Sequence, residues 1–573
     1  MNRLKSYLIA MDRSETTYIN MYEGPYYDKD VHATVYDPTY YKNDICYKIE
    51  RSHKLTLDKP IVTIQIPLFK IIDIKFFNIH IENCEDCTAD FCLRSFNNQI
   101  QKLNEELYNY SRPDKENGVF YSFDPSGEVI KRNACYISSL NEDEDIKFYI
   151  NIQIMVQLPC RDHRKAARML CSSLPMAVEK FIFEFDPQSF ENSVSLFKKQ
   201  QEIRNWLLNS EYCAFIANGS ILPRYKQTHK KLENAVPFKS PVSDEIEIMG
   251  IRGMGIKKGV TIITGGGYSG KSTLLDAISN GIYNHFLGDG REYVITDETA
   301  MKISAEDGRT VRNVNINAFI KWIPNGDASD FTTDHASGST SQAANIIESI
   351  QYGTKLLIID EDNSATNFMI QDDVMKSLIV KEPIVPFTER VEQLFLECSI
   401  STILVIGGSS EYLYVADNII LMDDYLPQNI THKIIKKKLC SHQTILWKYK
   451  RELITKNFTS FPHNSLKEKL EISEFGFIIL GDEKINIRML HNLISPAQIT
   501  AIAFIIRKIQ LSNRCESIDI VEAVRIILDD IKIHGLNNIY SNIFMVDSWL
   551  EIPRLNEICA VINRMKNIIF NIE

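Results

Sequence analysis

The sequence has no long uninterrupted apolar run. Residues 61–81 are rich in Ile and Phe, but Lys70, Asp73 and Lys75 interrupt them. A membrane-spanning helix needs about 20 consecutive apolar residues. We therefore expect no membrane segment, which argues against a transporter.

The chain also lacks a secretory signal and an excess of positive charge. No apolar core with a cleavage site stands at the N-terminus, and the twelve cysteines are scattered. A reducing compartment is the simpler account, so we expect a soluble, intracellular protein, in the cytoplasm or an organelle matrix. The net charge of −10 means that any nucleic-acid contact requires a local basic patch.

Three cysteines lie close together without a fourth metal ligand at a usual zinc spacing: Cys84, Cys87 and Cys92. A metal site and three ordinary thiols both remain open for them. With 573 residues, 44% apolar and 24% charged, the chain is expected to be globular, with two to four domains.

A phosphate-binding pattern is present. An apolar run at residues 260–263 leads into a turn that fits G-x-x-x-x-G-K-[ST], and a helix pattern follows. Glycines let backbone amides approach phosphate oxygens, and the helix start adds its positive dipole end. A plain strand-to-helix turn would have no need of a lysine at the helix start. The predicted loop residues are Gly265, Gly266, Gly267, Tyr268, Ser269, Gly270, Lys271, Ser272 and Thr273.

The loop predicts ATP and Mg²⁺ as ligands. Lys271 would hold the β- and γ-phosphates, and the Ser272 hydroxyl would ligate Mg²⁺. Phe238 lies upstream, where an aromatic ring could stack on adenine, although an ordinary core Phe is the alternative.

Two further segments follow in order. Ser337, Gly338 and Ser339 open a helical segment, as an anion site or as a plain Ser/Thr cap. The buried strand predicted at residues 356–359 ends in Asp360 and Glu361. Asp360 would hold Mg²⁺ through water, and Glu361 would polarise the attacking water. A solvated acidic turn is the alternative for the two carboxylates.

Apolar runs at 402–406 and 419–422 complete a predicted doubly wound α/β sheet. We expect an N-terminal α+β domain over residues 1–165, the ATPase domain over 166–450 and a mainly helical domain over 451–573. Helices are predicted at 96–110, 176–210, 495–511, 517–535 and 553–569.

The order of these motifs resembles an ABC-type nucleotide-binding domain. The stretches GGGYSGKSTLL, AEDGRTV, ASGSTSQAANIIE, LLIIDEDNSATNFM and ILVIGGSSEYLYVAD are similar to the soluble "ABC-class ATPase" family. The resemblance implies an ABC-type P-loop core and a homodimer, in which Ser337 and Gly338 act on the ATP held by the partner's Lys271 loop. It also implies ATP hydrolysis that drives closure on a macromolecule such as RNA, because some family members are associated with RNA processing. Slow hydrolysis is expected from two departures of the sequence from the family pattern.

The sequence departs from that resemblance twice. No Gln lies between Lys271 and Ser341, so the usual Mg²⁺-contacting glutamine has no direct counterpart. No switch histidine follows the strand at 402–406, and the γ-phosphate sensor is unassigned. Candidate substitutes for the glutamine are Glu306, Asp307, Asn315 and Asn317, and the residues in place of the histidine are Gly407, Gly408, Ser409 and Ser410.

Several cations have two interpretations each. Arg309 and Arg312 would neutralise phosphate or form surface salt bridges, and His285 would be structural rather than catalytic. Basic stretches at 161–168 and 224–231 would bind a polyanion or be solvated. Tail cations beside Trp447 and Tyr449 would bind single-stranded nucleic acid or cover a strand edge. These tail cations are Lys433, Lys436, Lys437, Lys438, Lys448, Lys450 and Arg451.

Three functions fit these patterns. The first is an ATPase that closes on a macromolecule. The second is a non-catalytic module that uses ATP as a clamp, suggested by the missing glutamine and histidine. The third is a small-molecule kinase, which would leave the Ser337 segment unexplained.

Overall fold

The structure is a computed structural model that describes most of the chain. None of the helices in it combines the length and apolar character that a membrane crossing needs, within the described residues. These residues are 1–11, 26–28, 33–35, 39–50, 59–72, 84–108, 117–142, 145–160, 162–225, 230–324, 326–371, 378–379, 381–437, 445–454, 470–473, 476–481, 483–511, 517–539 and 549–572.

The chain divides into two compact units. The first comprises Met1–Lys198 and Gly535–Ile552, and the second comprises Lys199–His534 and Pro553–Glu573.

The first unit is built on an antiparallel sheet in the order β3-β4-β5-β9-β6, with β8 also paired to β9. The predicted α+β character of this region is observed. Its strands are β1 Tyr26–Asp28, β2 Ala33–Val35, β3 Thr39–Lys42, β4 Ile45–Glu50, β5 Ile61–Pro67, β6 Val119–Tyr121, β7 Glu128–Val129, β8 Cys135–Glu142 and β9 Asp145–Gln157. Its helices are α1 Asn2–Met11, α2 Glu85–Leu107, α3 His163–Arg168, α4 Leu174–Phe183 and α5 Pro187–Asn209, the last of which contains the unit boundary.

The second unit contains a six-stranded sheet in the order β16-β19-β20-β13-β21-β22 and a four-stranded sheet in the order β11-β12-β10-β15. Its strands are β10 Tyr212–Ala217, β11 Glu245–Ile248, β12 Ile251–Lys257, β13 Val260–Gly265, β14 Asn284–His285, β15 Val294–Thr296, β16 Met301–Ile303, β17 Arg309–Val314, β18 Phe331–Ala336, β19 Leu356–Asp360, β20 Ser401–Val405, β21 Asn418–Asp423, β22 Leu426–Asn429, β23 Arg451–Ile454, β24 Leu470–Ser473, β25 Phe477–Leu480, β26 Glu483–Asn486, β27 Ser517–Asp519 and β28 Phe570–Ile572. Its helices are α6 Lys271–Asn280, α7 Gly338–Gln351, α8 Thr366–Met369, α9 Phe387–Cys398, α10 Pro496–Leu511, α11 Ile520–His534 and α12 Leu555–Ile562.

The six-stranded sheet is the predicted doubly wound core. Strands β16, β19, β20, β13 and β21 run parallel to one another, and β22 is antiparallel to β21. All five residues of β19 and of β20 are buried. The prediction that four apolar residues in a row form a strand buried on both faces is therefore confirmed.

The predicted helices differ from the observed ones at their ends. Helix α11 begins at Ile520 rather than at residue 517, because the Asp519 side chain accepts hydrogen bonds from the amides of Val521 at 2.9 Å and Glu522 at 3.1 Å. The helix predicted at 176–210 is two helices, interrupted before Pro187. Two small antiparallel sheets in the C-terminal part, β27-β23-β28 and β24-β25-β26, were not predicted.

A buried charged network surrounds helix α7. Glu306 accepts hydrogen bonds from Arg564 Nε at 3.1 Å and Asn345 Nδ2 at 2.9 Å, and Arg309 pairs with Glu348. Burial acts to raise the pKa of Glu306, but the guanidiniums of Arg564 and Arg309 outweigh it, so the net pKa lies below its ordinary value. The C-terminal segment that carries Arg564 is thus tied to α7.

Candidate nucleotide-binding site

The glycine-rich loop joins strand β13 to helix α6 with left-handed backbone at three positions. Gly265, Tyr268 and Gly270 have φ angles of +148°, +61° and +97°. A Cβ atom at Gly265 would lie 2.3 Å from the carbonyl oxygen of Met422. The strand end therefore needs glycine at this position both for its backbone angle and for the close approach of β21.

Lys271 is the first residue of α6 and is turned back onto the loop. Its Nζ donates to the carbonyl oxygens of Gly265 at 2.8 Å and Gly266 at 2.7 Å, and Ser269 Oγ donates to Gly266 at 2.9 Å. The first four amides of an α-helix have no partner within the helix. The start of α6, where Ser272 is exposed, thus offers donors and a positive dipole end to an anion.

The remaining loop residues leave this start open. Gly266 and Gly267 are exposed, and a Cβ atom at either would meet nothing within 4 Å. Tyr268 is 99% exposed, and Thr273 is half-buried in the first turn of α6. An approaching phosphate would therefore meet backbone amides rather than side chains.

Strand β20 sets the distance between this loop and the two acidic residues. Val405 of β20 pairs with Ile263 of β13 on one side and with Asp360 of β19 on the other. Because neighbouring strands are about 4.8 Å apart, Asp360 and Ile263 lie about 10 Å from one another. The loop, Asp360 and Glu361 thus share the carboxyl edge of one sheet, where such sheets bind ligands.

Asp360 is a buried carboxylate at the end of β19. Its side chain is 7% exposed, and its Oδ1 accepts a hydrogen bond from the amide of Asp362 at 3.3 Å. Burial raises the pKa of Asp360 above its ordinary value. Carboxylate and hydroxyl oxygens are the donors that Mg²⁺ prefers, so Asp360 and Ser272 fit that ion by donor type.

Glu361 is held by the loop after β20. Its Oε2 accepts hydrogen bonds from the amides of Gly407 at 2.6 Å and Gly408 at 3.2 Å, and its Oε1 accepts one from Ser409 Oγ. Burial acts to raise the pKa of Glu361, but these hydrogen bonds outweigh it, and the net pKa lies below its ordinary value. The sequence left this loop without a role, since no titratable side chain marks it.

Ser337 stands at the N-cap position of α7 without capping it. Its hydroxyl makes no hydrogen bond to the helix amides and lies 3.1 Å from Thr340 Oγ1. Ser337 is exposed and Ser339 is half-buried. The plain-cap interpretation is therefore not what the structure shows, and the amides at the start of α7 are not satisfied by this side chain.

Gly338 lies against the loop that follows Glu361 rather than against the phosphate loop. A Cβ atom on Gly338 would lie 3.4 Å from Ala365 Cβ. Buried Gln342 donates to Ser364 Oγ at 3.0 Å and accepts from the Ala365 amide at 2.9 Å. Within the described part of the chain, no hydrogen bond joins Ser337 or Gly338 to residues 265–273.

The four candidates for the missing glutamine lie in different settings. Glu306 is buried in the network around α7, and Asn315 Oδ1 accepts from the amide of Asn317 at 3.1 Å. Asp307 is exposed, and its Oδ1 would lie 3.2 Å from a Cβ atom on Gly338. Asp307 is thus an exposed carboxylate beside the first residue of α7, and the Glu306 amide donates to Ser341 Oγ in the first turn at 2.8 Å.

Phe238 belongs to the core. Its ring is 3% exposed, and its backbone amide donates to Ser220 O at 2.8 Å. The core alternative describes the ring in this structure, and stacking on adenine would need the ring to become exposed. Tyr425 is 56% exposed and would lie 3.3 Å from a Cβ atom on Gly270; the sequence did not single it out.

Three other candidates are structural. Arg309 is 4% exposed and pairs with Glu348, so both expectations for it, a phosphate contact and a surface salt bridge, were wrong. Arg312 pairs with half-exposed Asp334, as the salt-bridge alternative expected. His285 is 2% exposed, which agrees with a structural role.

Several residues of the basic stretches and of the tail have partners within the chain. The Asp162 side chain accepts from the Lys165 amide at 2.8 Å, at the start of α3, and Arg224 pairs with Asp289 at 2.6 Å. Trp447 is 4% exposed, which rules out base stacking on its ring in this conformation. Arg161, Lys226, His229 and Lys438 lie outside the described residues.

The cysteine cluster lies at the start of α2. Cys84, Cys87 and Cys92 are buried, and burial raises the pKa of Cys92 to about 12. In the ranges given above, no group of three His, Cys, Asp or Glu residues could hold a metal ion.

Comparison with known proteins places two families on the chain. Residues 186–456 match the family model of the ABC ATPase P-loop domain, and residues 469–571 match that of the MRB1590 C-terminal domain. The uncharacterized protein MJ1628 of Methanocaldococcus jannaschii is 31% identical over 257 residues, which are 42% of this chain and 56% of that protein. The chain thus spans little more than half the length of this curated relative.

Two solved structures are also similar. CbiO1 from Clostridium perfringens, part of the ABC transporter complex CbiONQ, is 15% identical over 38% of this chain and 87% of its own, with a TM-score of 0.25. MJ1267, an ATP-binding cassette of an ABC transporter in its ADP conformation, is 16% identical over 38% of this chain and 90% of its own, with a TM-score of 0.24.

The loop geometry predicts that ATP binding requires glycine at position 265 but not at position 266. Gly265→Ala should weaken ATP binding at least about tenfold, because the methyl group would meet Met422 and the residue would need a strained left-handed backbone. The matched control is Gly266→Ala, since a Cβ atom there meets nothing within 4 Å. Calorimetric titration with ATP measures both, and equal affinities of the two variants would contradict the prediction.

Proposed function

Residues 186–456 match the ABC ATPase P-loop domain, and from that premise we propose that this chain is an ABC-class ATPase, two copies of which bind Mg-ATP between them and hydrolyse it. The observation that carries the proposal is the register of β20, which aligns the ends of β13 and β19. It brings the Lys271 loop, Asp360 and Glu361 to one edge of one sheet.

The proposed reaction is attack of water on the γ-phosphate. The water oxygen forms a bond to the γ-phosphorus, the bond from that phosphorus to the oxygen bridging it to the β-phosphate breaks, and the water proton passes to Glu361. Lys271 and the amides at the start of α6 hold the phosphate oxygens. Bound through Ser272 and Asp360, Mg²⁺ would offset the negative charge of the β- and γ-phosphates.

The second copy is proposed because, among the described residues, the start of α7 makes no hydrogen bond to the phosphate loop of its own chain. Ser337 is exposed at the head of a 14-residue helix whose amides it does not cap. Gly338 next to it contacts Ala365, not the phosphate loop. A partner's triphosphate is the anion that such a helix start would receive. Slow turnover is expected, because the sequence has no switch histidine after β20.

Replacement of the proposed base tests for catalysis. Glu361→Gln should lower phosphate release from ATP at least about 100-fold while ATP still binds, because the amide cannot accept the water proton. Asp362→Asn is the matched control, as this neighbouring side chain is exposed, and it should stay near the wild-type rate. Equal, background-level release by wild type and Glu361→Gln would instead support a non-catalytic ATP clamp.

Mixing two inactive variants tests the composite site. Lys271→Ala and Ser337→Arg should each be inactive alone. Their heterodimer keeps one intact site, formed by Lys271 of one copy and Ser337 of the other. An equal mixture should therefore recover about a quarter of the wild-type phosphate release, since half of the dimers are mixed and each has one of two sites. No recovery would reject action in trans, and phosphate transfer to a metabolite by a monomer would support a kinase.

A second proposal is that closure acts on RNA. The observation that favours it is Lys437, whose Nζ lies 4.4 Å from the centre of the Tyr414 ring, at a surface where that ring is 37% exposed. Lys433 nearby is also exposed. Cations beside an exposed ring are suited to phosphates and stacked bases.

Retention of labelled single-stranded RNA on filters across a salt series tests the RNA proposal. Lys437→Ala should weaken binding and reduce the salt slope by about one. Lys532→Ala, which removes an exposed cation on α11, is the control and should bind as wild type does. A flat response of the wild type to salt, at background retention, would remove RNA as a partner.

A further inference from the structure

The loop at residues 407–409 presents several hydrogen-bond donors to one carboxylate. The amides of Gly407 and Gly408 both donate to Oε2 of Glu361, at 2.6 Å and 3.2 Å, and the Ser409 hydroxyl donates to Oε1. A carboxylate has about four acceptor positions. The Ser409 amide also hydrogen-bonds this carboxylate, so the loop engages both of its oxygens.

The Ser409 side chain makes no cap hydrogen bond to the turn that follows it. Ser409 occupies the N-cap position of the 3₁₀ turn Ser410–Tyr414, where a serine ordinarily accepts a hydrogen bond from the turn. Here the side chain makes no such bond and is 9% exposed, beside Glu361. The hydroxyl thus contacts Glu361 and not the turn.

The loop is anchored at both ends. On one side the Ile406 amide donates to Ile263 O of β13 at 2.9 Å. On the other side Tyr412, which is fully buried, donates its hydroxyl proton to Met369 O at 2.5 Å. The donors therefore have a defined position relative to β13, which carries the phosphate loop.

We propose that Ser409, with the amides of Gly407 and Gly408, is the positioning group for Glu361 in hydrolysis, standing where an ABC-type domain would carry a histidine. The inference rests on the proposed ATPase function. A base must lie within about 3 Å of the proton it removes. By engaging both carboxylate oxygens, the loop fixes the orientation of Glu361 with respect to the attacking water.

The test separates kcat from KM. Ser409→Ala should lower kcat for ATP hydrolysis between about tenfold and 100-fold, because a base that can rotate loses its alignment, and KM should change less than about twofold. Ser409→Thr keeps the hydroxyl and should restore most of kcat. Ser410→Ala, at the exposed neighbouring residue, is the matched control and should retain the wild-type rate. Thermal unfolding midpoints verify that all variants are folded.

A double variant identifies the partner through which Ser409 acts. In single-turnover phosphate release, Glu361→Gln/Ser409→Ala should be no slower than Glu361→Gln, because a positioning residue has no effect once its base is gone. A further loss in the double variant would overturn the inference. A wild-type rate in Ser409→Ala with an inactive Glu361→Gln would also overturn it and leave the ATPase proposal standing. An active Glu361→Gln variant with the wild-type rate would overturn the assignment of Glu361 as the base, and background-level release by the wild type would overturn the ATPase proposal itself.

Discussion

The site depends on one pairing, that of strand β20 with β13 on one side and β19 on the other. Parallel strands in register end at the same edge of a sheet, and Val405 is opposite both Ile263 and Asp360. The phosphate loop, the acidic pair and the Gly-Gly-Ser loop are three extensions of these strands. A shift of β20 by one residue would exchange the side chains that pack on its two buried faces, so packing of the core also preserves the arrangement of the site.

Helix α7 connects this edge to the C-terminal segment. Its first turn contacts the loop after Glu361 through Gln342. Further along, Asn345 is hydrogen-bonded to Glu306 and Arg564. Buried charges without partners are costly, so this network resists separation of α7 from the segment that carries Arg564. We therefore expect a movement of the Ser337 end of α7 to displace the segment that carries Arg564 as well.

Sequence reasoning succeeded where a pattern is local. The apolar run of β19 and the helix start at Lys271 are determined by neighbours in the chain, and both were predicted at the observed places. It failed where burial depends on distant partners. Arg309 looked like a surface cation, yet Glu348 and Asn345 enclose it. Trp447 looked like a stacking residue, yet its indole donates to Glu397 at 2.6 Å.

The sequence by itself determined the order of the nucleotide motifs and the parallel core, because periodicity, glycine placement and the Lys271 position are properties of short segments. Only the tertiary structure decided what residues 407–409 touch. Backbone amides carry no sequence signature, and the hydroxyl of Ser409 has many potential partners. Their common contact, Glu361, is 46 residues from Gly407 in the chain. Glu361 is brought there because β19 and β20 pair in parallel, so that their carboxyl ends lie at the same edge of the sheet.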